Sequence, residues 1–191
     1  MKKMFIDPKT YHYYPLEVAG LKRDLPICKV NDDLYIGAFV IFGDVELTVA
    51  CAKALCEKLP EHDVLITAEA KGIPLICEMA RICNSERYVV ARKAPKLYMK
   101  EPIAVEVRSI TTASLQILYL DKSDADYMKD KRVVIVDDVV SKGESLRAIE
   151  RLVESAGGNI VGKYTILAEG DAADRTDITY LEELPLFFPE K

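Results

Sequence analysis

Arg132-Val-Val-Ile-Val-Asp-Asp-Val-Val-Ser-Lys-Gly-Glu-Ser145 is the stretch from which the rest of the chain is best read. Val133 to Val136 form an apolar run too short for an independent helix and rich in β-branching, which reads as a buried strand. Two carboxylates, Asp137 and Asp138, end that run. A short turn follows through Val139 and Val140, and Ser141, Lys142, Gly143, Glu144 and Ser145 open a segment with helical period. Acids at the carboxyl end of a buried strand, beside the N-terminus of a helix, suit a phosphorylated sugar. The acids accept hydrogen bonds from ribose hydroxyls, while the helix end offers unpaired N–H groups and its positive dipole end to a phosphate.

A plainer reading is that Asp138 or Ser141 caps the helix. Capping accounts for one acid and leaves the other unexplained, because adjacent carboxylates repel unless a cation or a hydroxyl-rich group lies between them. The stretch is not a Walker phosphate loop, since Lys142 precedes its glycine, and the chain holds no G-x-G-x-x-G dinucleotide fingerprint.

The stretch resembles the phosphoribosyl-diphosphate (PRPP) signature of type I phosphoribosyltransferases: apolar residues, two acids, two apolar residues, then a small-residue loop. Two upstream segments extend the resemblance. Glu69-Ala-Lys-Gly72 follows the strand-like Asp63-Val-Leu-Ile-Thr-Ala68 and resembles the family's pyrophosphate loop. Val90-Ala-Arg-Lys-Ala-Pro-Lys-Leu97 resembles the Arg-Lys segment of adenine phosphoribosyltransferases. The resemblance implies an α/β fold of the type I class, with a central parallel sheet flanked by helices on both faces and a small N-terminal hood. The expected division is one domain over residues 1–191, with 1–45 a hood or interface segment and 46–185 the PRPP-binding core.

It also implies transfer of a phosphoribosyl group from PRPP to a purine-like base, adenine being the first guess, with release of pyrophosphate. Asp137 and Asp138 would hold the ribose and stabilise positive charge at the anomeric carbon, and residues 139–145 would cradle the 5-phosphate. Ala70, Lys71, Gly72, Arg92, Lys93 and Lys96 would meet the pyrophosphate, Arg92 and Lys96 in catalytic roles. A solvated basic patch is the plainer reading of these cations. Mg²⁺ is expected to be held mainly by PRPP and water, with no dedicated protein cage, and a homodimer follows from the resemblance alone.

Departures from the pattern cluster where the acceptor would bind. Ser109-Ile-Thr111 stands where adenine phosphoribosyltransferases carry Glu-Tyr-Gly in a mobile loop, and a serine cannot replace a carboxylate at neutral pH. Glu106 lies three residues earlier but would face another side of a strand. The family's Phe-Arg-Asp is not found around Ile36–Val40, and Lys142 replaces the more usual threonine. The hydroxyl-rich Ser109–Ser114 reads equally as the lining of a different acceptor site or as a plain loop. A PRPP-sensing module without turnover and a transferase for a non-purine acceptor therefore stand beside the salvage enzyme.

Composition suits a compact cytoplasmic enzyme. With 191 residues, half of them hydrophobic and 30% charged, the chain can bury one sizeable core. A net charge of −5 argues against nucleic acid as the main partner. No signal peptide and no membrane span are expected. The five cysteines lack a C-x-x-C pair and read as reduced, mostly buried thiols. His12 and His62 read as surface residues, and Tyr11, Tyr13 and Tyr14 as packing aromatics.

Along the chain the pattern predicts a hairpin over 11–30 turning at Ala19-Gly20, and an apolar strand or loop over 35–42. Asp44 should cap a helix from 45 to about 59. Strand 63–68, helix 73–83 and strand 87–92 follow. The span 94–112 is the least regular, and 115–120 resumes a strand. Helix 144–156 should bury Leu146, Ile149, Leu152, Val153 and Ala156 and stop at Gly157-Gly158. Strand 159–168 comes next, and Pro185–Pro189 reads as an edge strand or apolar tail.

Overall fold

The computed structural model describes residues 3–108 and 115–190. Its strands are β1 (Lys3–Ile6), β2 (Tyr13–Val18), β3 (Leu21–Asn31), β4 (Leu34–Gly37), β5 (Val64–Ala68), β6 (Val89–Ala91), β7 (Ile103–Arg108), β8 (Leu115–Leu120), β9 (Arg132–Val140), β10 (Asn159–Glu169), β11 (Thr179–Leu184) and β12 (Leu186–Pro189). The helices are α1 (Val45–Cys56), α2 (Gly72–Ile82), α3 (Lys122–Met128) and α4 (Glu144–Ser155), with a 3-10 turn at Gly170–Asp174.

The centre is a parallel sheet ordered β11-β10-β9-β5-β6. β9 lies in its middle, and strand periodicity sends alternate residues of its apolar run to opposite faces. Val133 and Ile135 join one core with Leu146, Ile149, Leu152 and Val153 of α4. Val134 and Val136 join the other, with Leu47 and Leu55 of α1 and Leu75 and Met79 of α2. A strand covered on both faces needs no polar alternation, which is why its apolar run is continuous. Asp44 caps α1, its carboxylate accepting from the Leu47 N–H at 3.0 Å. α4 buries the expected face and ends before Gly157, whose φ of +76° supplies the left-handed residue that helix ends favour.

A second sheet, ordered β1-β12-β4-β3-β2, forms the hood. Its β2–β3 hairpin turns at Ala19 and Gly20, at φ of +51° and +76°, the pair of left-handed residues that a type I′ hairpin requires. Phe187 of β12 is fully buried and meets Tyr14 edge-on at 5.3 Å and Tyr11 at 6.2 Å between ring centres. Tyr13 points to solvent, 59% exposed.

Several sequence expectations are corrected here. The 185–189 segment is not an edge: Leu186–Pro189 is an interior strand, pairing in parallel with β1 and antiparallel with β4, where Phe187 is buried against Tyr11 and Tyr14. The strand of the opening stretch does not stop at its acids: β9 continues through Asp137 and Asp138 to Val140, held by β10 pairing Thr165 with Asp137 and Ala168 with Val140. The span 94–112 is not wholly irregular. Ile103–Arg108 alternates apolar and polar residues and forms an antiparallel hairpin with β8. The Ser109–Ser114 readings fall outside the described residues. Nor are the cysteines mostly buried: Cys51 is, but Cys28 and Cys77 are exposed. All five are free, and the Cys56 and Cys83 sulfurs lie 3.6 Å apart. Among the described residues, no helix is long and apolar enough to cross a membrane.

Candidate active site

The carboxyl ends of the parallel strands carry the polar groups, as open α/β sheets generally arrange them. Asp138 is 4% exposed, and its Oδ2 lies 2.7 Å from the Lys71 ammonium. Lys71 precedes α2 and also donates to the Phe39 carbonyl at 3.5 Å. It is therefore the cation that lets two neighbouring acids share the end of one strand. Asp137 opens onto the cavities on either side of it but sits deep within the protein. Burial, then the charge of Asp138, push its carboxyl up to about 7, while Lys71 and the Asp138 N–H, donating at 3.0 Å, oppose the shift.

Two small cavities meet at Asp137. One, about 250 Å³, is lined by Asp137, Val139, Val140 and the whole loop from Ser141 to Ser145, including Lys142, Gly143 and Glu144. Gly143 precedes α4 at φ +72°, and a Cβ there would stand 2.5 Å from the Arg175 guanidinium. The left-handed backbone favours glycine there, while the Arg175 guanidinium, at the end of a flexible side chain, could give way. No side chain caps α4, so the capping reading of Asp138 and Ser141 is set aside and the helix end stays turned to the cavity.

The second cavity, about 280 Å³, is lined by Ala68 to Lys71, Lys93, Asp137, Asp138, Val139 and Ser145. The Glu69–Ala70 peptide in this loop is cis. Gly72 has no room for a side chain: a Cβ would fall 2.1 Å from Thr67 Oγ1 and 3.6 Å from Asp137 Oδ1.

The structure therefore brings Ala70, Lys71, Gly72 and Lys93 to Asp137 and Asp138. Arg92 is differently engaged, donating to Glu69 Oε2 and to the Tyr98 hydroxyl, each at 2.7 Å. Lys96 contributes charge near Glu69, and its backbone N–H contacts Met99 Sδ at 3.4 Å. Glu69 was not singled out by sequence. Burial works against its charge, but hydrogen bonds from the Lys93 N–H and the Arg92 guanidinium outweigh this and hold it below the usual range. Glu106 is exposed on β7, whose hairpin packs against α4.

A larger cavity of about 670 Å³ lies between hood and core, with Val30, Leu34, Ile36 and Leu186 on the hood side and Ser141, Arg147 and Glu169 among the residues opposite. Burial raises the Glu169 carboxyl, opposed by a hydrogen bond from Ser141 and the charge of Lys71. Arg175 also lines this cavity and donates to both oxygens of Asp177, at 2.9 and 2.7 Å. Sequence reading missed Arg147, Glu169 and Arg175. A signal existed for two of them. Arg147 places a cation close to a helix N-terminus, where the dipole disfavours it unless an anion binds. Glu169 is an acid at the carboxyl end of an apolar strand, the same sign that singled out Asp137.

Comparison with known proteins bears on this geometry. The phosphoribosyl transferase domain model matches residues 47–184. The chain is 29% identical over 153 residues to an adenine phosphoribosyltransferase of Petrotoga mobilis, covering 77% of this chain and 84% of that one. It is 34% identical over 131 residues to the adenine enzyme of Rhodococcus jostii, covering 66% and 69%. A hypoxanthine/guanine phosphoribosyltransferase of Methanothrix soehngenii matches at 29% over 112 residues, so that the chain spans about half of that relative, 55%. Among solved structures, the adenine phosphoribosyltransferase of Rhodothermus marinus superposes with a TM-score of 0.64 at 20% identity, over 91% of this chain and 94% of that one. The one from Leishmania donovani superposes with a TM-score of 0.63 at 18% identity, over 95% and 84%. Taken with the site at the end of β9, these matches show that the chain belongs to the type I phosphoribosyltransferase family, on the adenine phosphoribosyltransferase side of it.

Proposed function

We propose that the protein transfers a phosphoribosyl group from PRPP to a purine-like base, adenine first, releasing pyrophosphate in purine salvage. The observation that carries this reading is the meeting of two polar cavities at Asp137, one against the 141–145 loop and one against Lys71 and Lys93. The first suits the 5-phosphate, which backbone N–H groups at the start of α4 would hold. The second suits the diphosphate, between Lys71 and Lys93. The acids lie between the two, where the ribose hydroxyls and the anomeric carbon would fall. As the bond to pyrophosphate loosens, positive charge grows on the sugar, and fixed carboxylates stabilise it without having to reorganise. The cavity beneath the hood is the acceptor site, of a size ordinary for small-ligand pockets.

The donor set suits magnesium. Asp137 offers oxygen at the point where the two cavities meet. That fits an ion taking one or two carboxylates and substrate phosphates. Bound with the diphosphate, it would neutralise charge on the leaving group, while a cation beside Asp137 would draw that carboxyl into its ionised form. A homodimer, to which the fully exposed Leu97 beside Lys96 would contribute, and a cytoplasmic location belong to the same reading.

The sequence at Ser109-Ile-Thr111 favours a second reading, a PRPP sensor without turnover or a transferase for a non-purine acceptor. The test is pyrophosphate release from PRPP and Mg²⁺ with adenine, hypoxanthine, guanine, xanthine, uracil and orotate, using Asp137→Ala as the control. Release with a purine, lost in the control, is the expected result. PRPP binding with no release from any base would favour the sensor or an acceptor outside this panel, and release with a pyrimidine alone the other transferase.

A further inference from the structure

We propose that Glu169 reads the acceptor, selecting a purine whose exocyclic amine donates to its carboxylate over the oxo counterpart; this rests on the phosphoribosyl-transfer reading above. Glu169 is the last residue of β10, the strand beside β9. It lines the larger cavity and neither of the two that meet at Asp137, and it reaches the phosphate loop only through Ser141.

The opposite wall is Val30, Leu34, Ile36 and Leu186. The side chains of such a wall pack on the faces of a flat ring, so side-chain recognition of its edge falls to the polar side. Ser141 hydrogen-bonds the Glu169 carboxyl, orienting it while using only part of its accepting capacity, since a carboxylate has about four lone-pair sites and no donor. The charge of Lys71 favours the ionised form against the burial that opposes it. Glu144 and Asp171 line the same cavity with charge of the same sign, and Lys142, Arg147 and Arg175 with charge of the opposite sign. Arg175 is engaged by Asp177, so the preference rests on the contact at Glu169 and not on the sign of the whole pocket. An acceptor-only group in a largely apolar pocket pairs well with an amine and is left facing like dipoles by a carbonyl oxygen. Sites built to receive a hydrogen bond discriminate strongly against an analogue that cannot make it.

The test is calorimetric binding of four nucleoside monophosphates to the whole chain, in amino and oxo pairs: AMP against IMP, and GMP against XMP. The tightest binder is expected to carry the amine and to exceed its oxo partner by roughly tenfold or more. Glu169→Gln, whose amide both donates and accepts, should shrink that ratio to about threefold or less. Ribose 5-phosphate binding should weaken by less than the amino-to-oxo ratio changes, in this variant and in Glu169→Leu, since Glu169 touches the phosphate loop only through Ser141. An oxo nucleotide binding tightest, an unchanged ratio in Glu169→Gln, or ribose 5-phosphate binding lost together with the preference would overturn the proposal. Failure of the transferase reading looks different: no pyrophosphate release from any base, with the nucleotide preference intact.

Discussion

At the amino end of β9, Arg132 sits between Asp63 and Glu61, donating to Asp63 at 2.9 and 3.1 Å and to Glu61 at 2.7 Å. These bonds carry the Asp63 carboxyl down to about 2. All three groups keep broad access to water. At the carboxyl end of the same strand two acids lie side by side, enclosed, with Lys71 in contact with Asp138, and Asp137 moves the opposite way. One end joins opposite charges in solvent, where each pair is worth little. The other concentrates like charge where water is scarce, at a cost in stability that a bound sugar and cation can relieve. The strand is thus tuned for solubility at one end and for binding at the other.

The comparison breaks most readily at Asp137. Asp137→Asn should lower phosphoribosyl transfer by roughly 10²–10³, as for loss of a group facing developing charge. Its stability should diverge from the original's with pH. The folded carboxyl titrates above its unfolded value of about 3.9, so the original has its full stability below that value. It loses stability as pH rises toward about 7, where the folded carboxyl ionises. Melting curves at pH 4, 5.5, 7 and 8 should show the variant gaining on the original up to about pH 7 and level beyond it. A gap independent of pH would remove the electrostatic account.

Next in size is Lys71→Met, which leaves Asp138 buried without its cation. The expected loss is roughly 2 kcal/mol, below the ~3–5 of a fully buried pair because 43% of the Lys71 side chain is exposed. That corresponds to a fall of about 4–8 °C in the thermal midpoint, and Asp138→Asn in the same chain should restore part of it. The smallest effect belongs to the other end. Arg132→Gln should move the midpoint by no more than a few degrees and leave the steady-state rate unchanged. A large kinetic effect there would show that the two ends are not separable.

Legibility in the sequence followed the same division between local and distant causes. Strands 63–68 and 159–168 and helices 73–83 and 144–156 around β9 could be read because each carries its own periodicity, whereas the short α3 and β11 were not read. Lys71 and Gly72 stood out because their segment resembles the family's pyrophosphate loop. Arg147, Glu169 and Arg175 did not, since each becomes a cavity wall only when the hood is placed over the core. Placing it requires knowing that Leu186–Pro189 lies between β1 and β4, pairing residues about 180 and 150 positions apart. No local pattern reports such a contact. The end of β9 was misjudged for a related reason: an acid pair looks like a strand terminator until the neighbouring strand is seen to continue beside it.

The interior placement of β12 gives the molecule an order of assembly. Every strand of the parallel sheet precedes Leu186 in the chain, so the walls around Asp137 can form while the hood still lacks one of its interior strands. Leu186 then completes the cavity that Glu169 faces, the one to which the proposed function assigns the acceptor. A chain cut short before β12 would keep the residues around Asp137 and lose a wall of the larger cavity.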